Sequence, residues 1–319
     1  MIEEWREAIN SMTERLEMGK QLYNQLMEAR PDGADLIVCP EHLGDTIWIV
    51  VFASAYLQEH DCSSVYYVVK ESQNEMVMSF PDVGGTIALS NEEMALLRTY
   101  MIVMHLWNQD HIIYAHSKAD LVYKDNRFLF VQYPEGIGMA DTRLRWLGIN
   151  GNYIPSQMLP LENEQDTELS DMFGKAILLL PTAQSTQSIP KAFWKSLAKR
   201  YTDEGYAVYT NYNGFEYEYV IEGTKPLSST IMELARISPY FAQIIALRSG
   251  ACDLLAETES NLSTLYCYEM HERGIVLNPG DVKWDSIHLL TDRKEMYYYQ
   301  YLPGESDELI SVLFEHVRK

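Results

Sequence analysis

The feature that most constrains the fold of this chain is an alternation of short apolar segments with helix-like ones, run through twice. The first series holds "DLIVC" (35–39), an apolar helix from Asp45, "SVYYVV" (64–69), "GTIALS" (85–90), a helix from Asn91 and "HIIYAH" (111–116). Near-continuous apolar strands separated by helices predict a parallel sheet covered on both faces. Residues 155–173, "PSQMLPLENEQDTELSDMF", concentrate proline and acid and break the pattern, as an interdomain linker does. The second series holds "KAILLLP" (175–181), a helix from Pro190 to about Glu204, "YAVYTN" (206–211), a helix near 228–236, "AQIIAL" (242–247), a helix from Gly250 and "STLYCY" (263–268). The pattern predicts an α/β chain with two doubly wound, Rossmann-like parallel-sheet domains, at 35–160 and 174–319, with a linker at 161–173. At 319 residues and 47% apolar content, the chain has material for two cores.

Ahead of the first series, Trp5, Ile9, Met12, Leu16, Tyr23 and Met27 recur three, four or seven residues apart. That spacing predicts one helix over residues 1–34 with a single apolar stripe, packed on the first domain and ended by Pro31, Asp32 and Gly33. The stretch is acidic and lacks the basic and apolar regions of a signal peptide, and a cytoplasmic location is expected. The formal charge of -21, from 46 acidic and 25 basic residues, repels phosphate backbones and anionic lipid. Nucleic acid is therefore not an expected partner, and membrane contact is at most peripheral. A small anion can still bind through a few backbone N–H groups. The four cysteines are scattered without metal-ligand spacing and are expected to be reduced thiols.

Ligands of open parallel sheets bind beyond the carboxyl ends of the strands. Three stretches occupy that position. In "EHLGDTIWIVV", Gly44 allows a tight turn and Asp45 can cap the following helix, but neither role calls for Glu41 or His42. Three titratable groups at such an edge suit a general base. His116, at the end of "HIIYAH", falls on the same edge. In "ALRSGACDLLAE", the Arg248 guanidinium, the Ser249 hydroxyl and backbone N–H groups at Gly250 are able to hold a diphosphate. In "LLLPTAQSTQSIPKAFW", Pro181 stops the strand and a polar loop with Thr182 and Ser185 precedes Pro190. The chain has no G-x-x-x-x-G-K-[ST], G-x-G-x-x-G, G-x-S-x-G or H-E-x-x-H motif, and no D-x-D pair that would bridge a diphosphate through a metal.

In their order and spacing these stretches resemble the heptosyltransferase family, glycosyltransferase family 9, from residue 35 onward. "EHLGDTIWIVVFASAYL" resembles that family's strand, Gly-Asp loop and apolar helix, and "TRLRWLGI" (142–149) its LG-aliphatic stretch before the linker. "LLLPTAQSTQSIPKAFWKSLA" resembles the opening of its second domain, and "RSGACDLLA" its Asp-Ser/Thr-Gly motif under the donor nucleotide. Arg248 stands where the family has aspartate, Asp253 where it usually has histidine, and Ser188-Ile189-Pro190 where it has Lys-Trp-Pro. The S-G-x-C-D form is also similar to fucosyltransferase-like enzymes of the same fold, which leaves the donor sugar open.

The resemblance implies the GT-B fold, two Rossmann-like domains with a cleft between them, and a metal-independent, inverting glycosyltransferase without a cofactor. Its donor is a nucleotide diphosphate sugar and its acceptor a hydroxyl of a glycan or lipid-linked glycan. Asp45 takes the base role, beside His42 and Glu41. Arg248, Ser249, Gly250, Thr182, Ser185 and Asp253 take the donor, and Gly44 and His116 lie near the acceptor. Two alternatives remain at this point: a sugar-nucleotide epimerase, and a non-catalytic GT-B-like subunit that binds a partner protein or a second copy.

Overall fold

A computed structural model describes residues 2–40, 42–109, 111–115, 120–124, 127–131, 139–151, 153–161, 173–183, 188–213, 219–267, 269–270, 275–276, 296–302 and 304–317. The chain divides into two compact units, Met1–Leu159 and Pro160–Lys319. The linker expected at 161–173 falls mainly outside the described residues.

The first unit opens with α1 (Ile2–Ala29), then β1 (Ala34–Val38), α2 (Leu43–Val50), α3 (Ala53–Glu59), β2 (Ser64–Lys70), α4 (Asn74–Met78), β3 (Gly85–Leu89) and α5 (Asn91–Val103). It continues with β4 (Asn108–Gln109), β5 (Ile112–Tyr114), a hairpin of β6 (Asp120–Lys124) and β7 (Arg127–Val131), and α6 (Met139–Trp146). The main sheet has the order β3-β2-β1-β5-β4, parallel except for the β4–β5 pair. β1 is central and buried at every residue, which is why it reads as an unbroken apolar run apart from Asp35. That carboxylate is satisfied where it lies: the Tyr56 hydroxyl donates to Oδ2 at 2.7 Å, and Nδ1 of His111 sits 2.7 Å from Oδ1. Burial, with Asp35 nearby, pushes the neighbouring Cys62 thiol up to about 11.

α1 packs on α5 through its second half, with Tyr23 and Tyr100 rings 5.7 Å apart. The contact hinges on Gly19, where an added Cβ would lie 2.5 Å from the Leu96 carbonyl oxygen and 2.6 Å from Tyr100 Cβ. Met12, expected on the apolar stripe, is instead 49% exposed, within a run of exposed residues at 10–15.

The apolar segment after Asp45 is two helices rather than one. The Val51 amide still bonds to the Ile47 carbonyl at 3.1 Å, the Phe52 amide shifts to the Ile49 carbonyl at 3.2 Å, and the Val51 carbonyl accepts from the Ser156 amide at 2.7 Å. Ile47 to Ala53 are buried on every side, as an all-round apolar helix must be. The segment leaving the unit is fastened again where the Leu159 amide donates to the Ser79 carbonyl at 2.8 Å.

The second unit contains β8 (Ala176–Leu180), α7 (Lys191–Asp203), β9 (Ala207–Asn211), β10 (Lys225–Leu227), α8 (Ile231–Ile237), β11 (Gln243–Leu247), α9 (Gly250–Ala256) and β12 (Leu262–Cys267). A short β13 (Glu269–Met270) and β14 (Ile275–Val276) pair antiparallel, followed by β15 (Met296–Tyr301) and α10 (Ser306–Glu315). The sheet order is β10-β9-β8-β11-β12-β15, every pair parallel. In chain order this is 3-2-1-4-5-6, the doubly wound arrangement whose direction of winding reverses between the first and fourth strands. Phe193, Trp194, Leu197 and Tyr201 of α7 pack against one face with Leu309, Ile310 and Leu313 of α10. Among the described residues, no helix is long and apolar enough to cross a membrane.

Candidate active site

Strand order singles out one edge in each unit. In the first sheet, winding reverses between β1 and β5, and in the second between β8 and β11. A crevice opens beyond the carboxyl ends of such strand pairs, because the loops there depart to opposite faces.

In the first unit the loop after β1 leads to His42, Gly44 and Asp45. The structure corrects two local expectations. α2 starts at Leu43 with His42 at the N-cap, so Asp45 is the third helical residue and not the cap. His42 supplies no side-chain cap bond; its carbonyl accepts from the Thr46 amide at 3.1 Å. Gly44 is buried within the helix, so the turn is not made there. The Asp45 carboxylate is engaged elsewhere than at a backbone cap: Nη2 of Arg143, on α6, lies 2.5 Å from its Oδ1.

Arg143 has no exposed surface, whereas the Asp45 side chain is 34% exposed. The guanidinium also stacks 3.9 Å from the centre of the Trp146 ring, one turn along the same helix. Cys39, one residue beyond β1, lies close enough to feel both charges. Burial pushes its thiol far up, with Arg143 opposing, so it is a neutral wall and not a nucleophile. His42 is exposed. Glu41 and His116 lie outside the described residues.

In the second unit Thr182 follows β8, and Arg248, Ser249 and Gly250 follow the adjacent β11. Ser185 lies outside the described residues. Ser249 occupies the N-cap of α9 in an extended conformation, but its side chain makes no capping bond. The nearby α8 contrasts with it: Thr230 and Glu233 form a reciprocal capping box there. The Ser249 hydroxyl therefore stays uncommitted to its own helix.

Arg248 is placed differently from a free anion clamp. Its Nη1 and Nη2 reach the two carboxylate oxygens of Asp253 at 2.9 and 3.0 Å, and Nη1 also donates to the Ser249 carbonyl at 2.6 Å. Both side chains are buried, at 9% and 2% exposure. The pair joins two candidate residues from the same sequence stretch and braces the turn that carries Ser249. Arg143 and Trp146, by contrast, escaped the sequence reading as site residues. The only local signal for them is a basic residue with an aromatic three positions on, in "TRLRW".

No protein-family model and no curated protein sequence matches the chain. Solved structures do. A glycosyltransferase family 9 protein from Veillonella parvula aligns over 90% of this chain and 90% of its own, with TM-score 0.57 and 14% identity. ADP-heptose LPS heptosyltransferase II of E. coli aligns over 89% of this chain and 98% of its own, with TM-score 0.56 and 14% identity. E. coli heptosyltransferase WaaC with ADP aligns over 89% and 100%, with TM-score 0.54 and 13% identity. The chain thus has the heptosyltransferase-like GT-B fold of these glycosyltransferases, two parallel-sheet units in succession, carried by a sequence only 13–14% identical to theirs.

Proposed function

We propose that this chain is a glycosyltransferase that moves a sugar from a nucleotide diphosphate sugar to a hydroxyl of a glycan or lipid-linked glycan, inverting the anomeric centre and using no metal. The observation that carries the reading is the coincidence of two placements. The candidate base and the candidate phosphate-binding turn each lie where the winding of their own sheet reverses, and the fold over about 90% of the chain is like that of a glycosyltransferase family 9 protein and of ADP-heptose LPS heptosyltransferase II.

The donor binds the second unit. Backbone N–H groups at Gly250 and the hydroxyls of Ser249, Thr182 and Ser185 take the diphosphate, while Arg248 and Asp253 brace the turn. The acceptor binds the first unit near His42, Glu41 and His116. Asp45 accepts the proton of the acceptor hydroxyl as its oxygen bonds to the anomeric carbon. The bond between that carbon and the diphosphate oxygen breaks, and the nucleoside diphosphate departs with the electron pair.

A thermal-shift screen of nucleoside diphosphates, followed by release assays on ADP-, UDP- and GDP-sugars with and without oligosaccharide acceptors, tests the reading. Ligand at a hundredfold excess over Kd stabilises by about 2.7 kcal/mol. Asp45→Asn should lower turnover about 100-fold or more with donor affinity nearly unchanged, and EDTA should leave turnover intact. A panel in which no nucleoside diphosphate binds and none is released defeats the proposal.

A further inference from the structure

We infer that Arg143 is a positioning residue that aims the Asp45 carboxylate at the acceptor hydroxyl; the inference rests on the assignment of Asp45 as base. A carboxylate in the first turn of a helix needs no arginine to be stable there, since the helix N-terminus already favours a negative charge. Yet the chain brings a guanidinium 98 residues along the sequence to Asp45 and buries it entirely. A buried cation is costly unless it is paired, so the Asp45 carboxylate offsets the burial of Arg143.

The geometry suits aiming better than bulk stabilisation. The guanidinium plane is fixed by its stack on Trp146 at 3.9 Å, and Nη2 holds Oδ1 at 2.5 Å. One carboxylate oxygen is therefore immobilised from the protein side. Oδ2 has no hydrogen-bond partner among the described residues, and the side chain keeps 34% of its surface exposed. A base must meet its proton within hydrogen-bond reach and in line. Clamping Oδ1 from the buried side leaves Oδ2 as the oxygen that faces incoming substrate. Lysine at 143 would keep the charge and lose both the planar fork and the stack.

The test is a double-mutant cycle on turnover, using Asp45→Asn, Arg143→Gln, Arg143→Lys and the combined variants. Turnover is read as nucleoside diphosphate released from whichever ADP-, UDP- or GDP-sugar the wild-type chain uses. Donor affinity is read by calorimetry with the matching nucleoside diphosphate, and folding by thermal melts. Arg143→Gln is expected to lower kcat about 30- to 100-fold, the scale of a misaimed group, with nucleoside diphosphate Kd unchanged within about twofold. Arg143→Lys should recover part of that loss. Adding Arg143→Gln to Asp45→Asn should cost nothing more, because a positioning residue acts only through the group it positions. If Arg143→Gln does not melt cooperatively, the cycle is read with Arg143→Lys.

Losses that multiply in the double variant, or arginine variants that keep wild-type kcat while Asp45→Asn is inactive, overturn this inference alone. Full turnover by Asp45→Asn, or no release from any donor by the wild-type chain, overturns the base assignment and this inference with it.

Discussion

Replacing Arg248 by alanine is expected to destabilise the second unit before it says anything about ligands. From the sequence, this arginine is an anion clamp whose removal weakens donor binding and spares the fold. In the structure it forms two charge-assisted bonds of 2.9 and 3.0 Å to Asp253, whose side chain is only 2% exposed. Alanine there leaves a buried carboxylate with its cation gone, and breaking a buried pair from one side costs about 3 to 5 kcal/mol. Against a domain stability of roughly 5 to 15 kcal/mol, that is a large fraction. It corresponds to a fall in Tm of about 6 to 20 °C for a unit of this size. Exchanging both members for apolar residues, Arg248→Met with Asp253→Leu, should restore most of it, because no unpaired charge remains. The assay is a set of thermal melts on the two single variants and the double one, followed by calorimetry with a nucleoside diphosphate on whichever remain folded. An Arg248→Ala protein within about 1 kcal/mol of wild type would refute the reasoning. If such a protein also lost nucleoside diphosphate binding, the guanidinium would be acting on phosphate directly.

Two further outcomes are expected. Gly19→Ala should lower stability by about 1 to 3 kcal/mol in thermal melts despite alanine's better helix propensity, because its Cβ would meet the Leu96 carbonyl oxygen at 2.5 Å and push α1 off α5. The Cys62 thiol, raised from 9.0 to about 11, holds its proton more tightly in the folded chain; its contribution is complete below pH 9 and is lost as pH rises through about 11, so Cys62→Ala should make the alkaline fall in stability shallower in a pH series of melts.

The central strands were the most legible part of the chain. "ADLIV", "AILLL" and "QIIAL" are buried at every residue, and burial on both faces leaves an apolar run to read, interrupted by Asp35 and headed by Gln243. The two breaks in winding follow from the order of those strands, so the candidate loops were placed by position alone. What could not be read were contacts between distant side chains. Arg143 meets Asp45 across 98 residues, and Asp35 is satisfied by Tyr56 and His111, 21 and 76 residues away; no local periodicity encodes such pairs. The division of the apolar helix at Val51 was hidden for a related reason. Its residues suit a continuous helix, and the amide that takes the Val51 carbonyl comes from Ser156. Arg248 and Asp253 sit five residues apart, and nothing in their spacing announces that they pair with each other.

The bridge between Asp45 and Arg143 also sets an order of events at the ribosome. At synthesis rates of about 5 to 20 residues per second, the aspartate is made roughly 5 to 20 seconds before its arginine. Through that interval α2, apolar on every side, waits for α6, one of the elements that covers it. A nascent chain halted short of residue 143 therefore displays a greasy helix beside a carboxylate that has no counter-ion, a form well suited to capture by chaperones and poorly suited to survive without them. The first unit becomes a finished object only when nearly its last helix has been made, so its quality control is tied to completion of the whole unit.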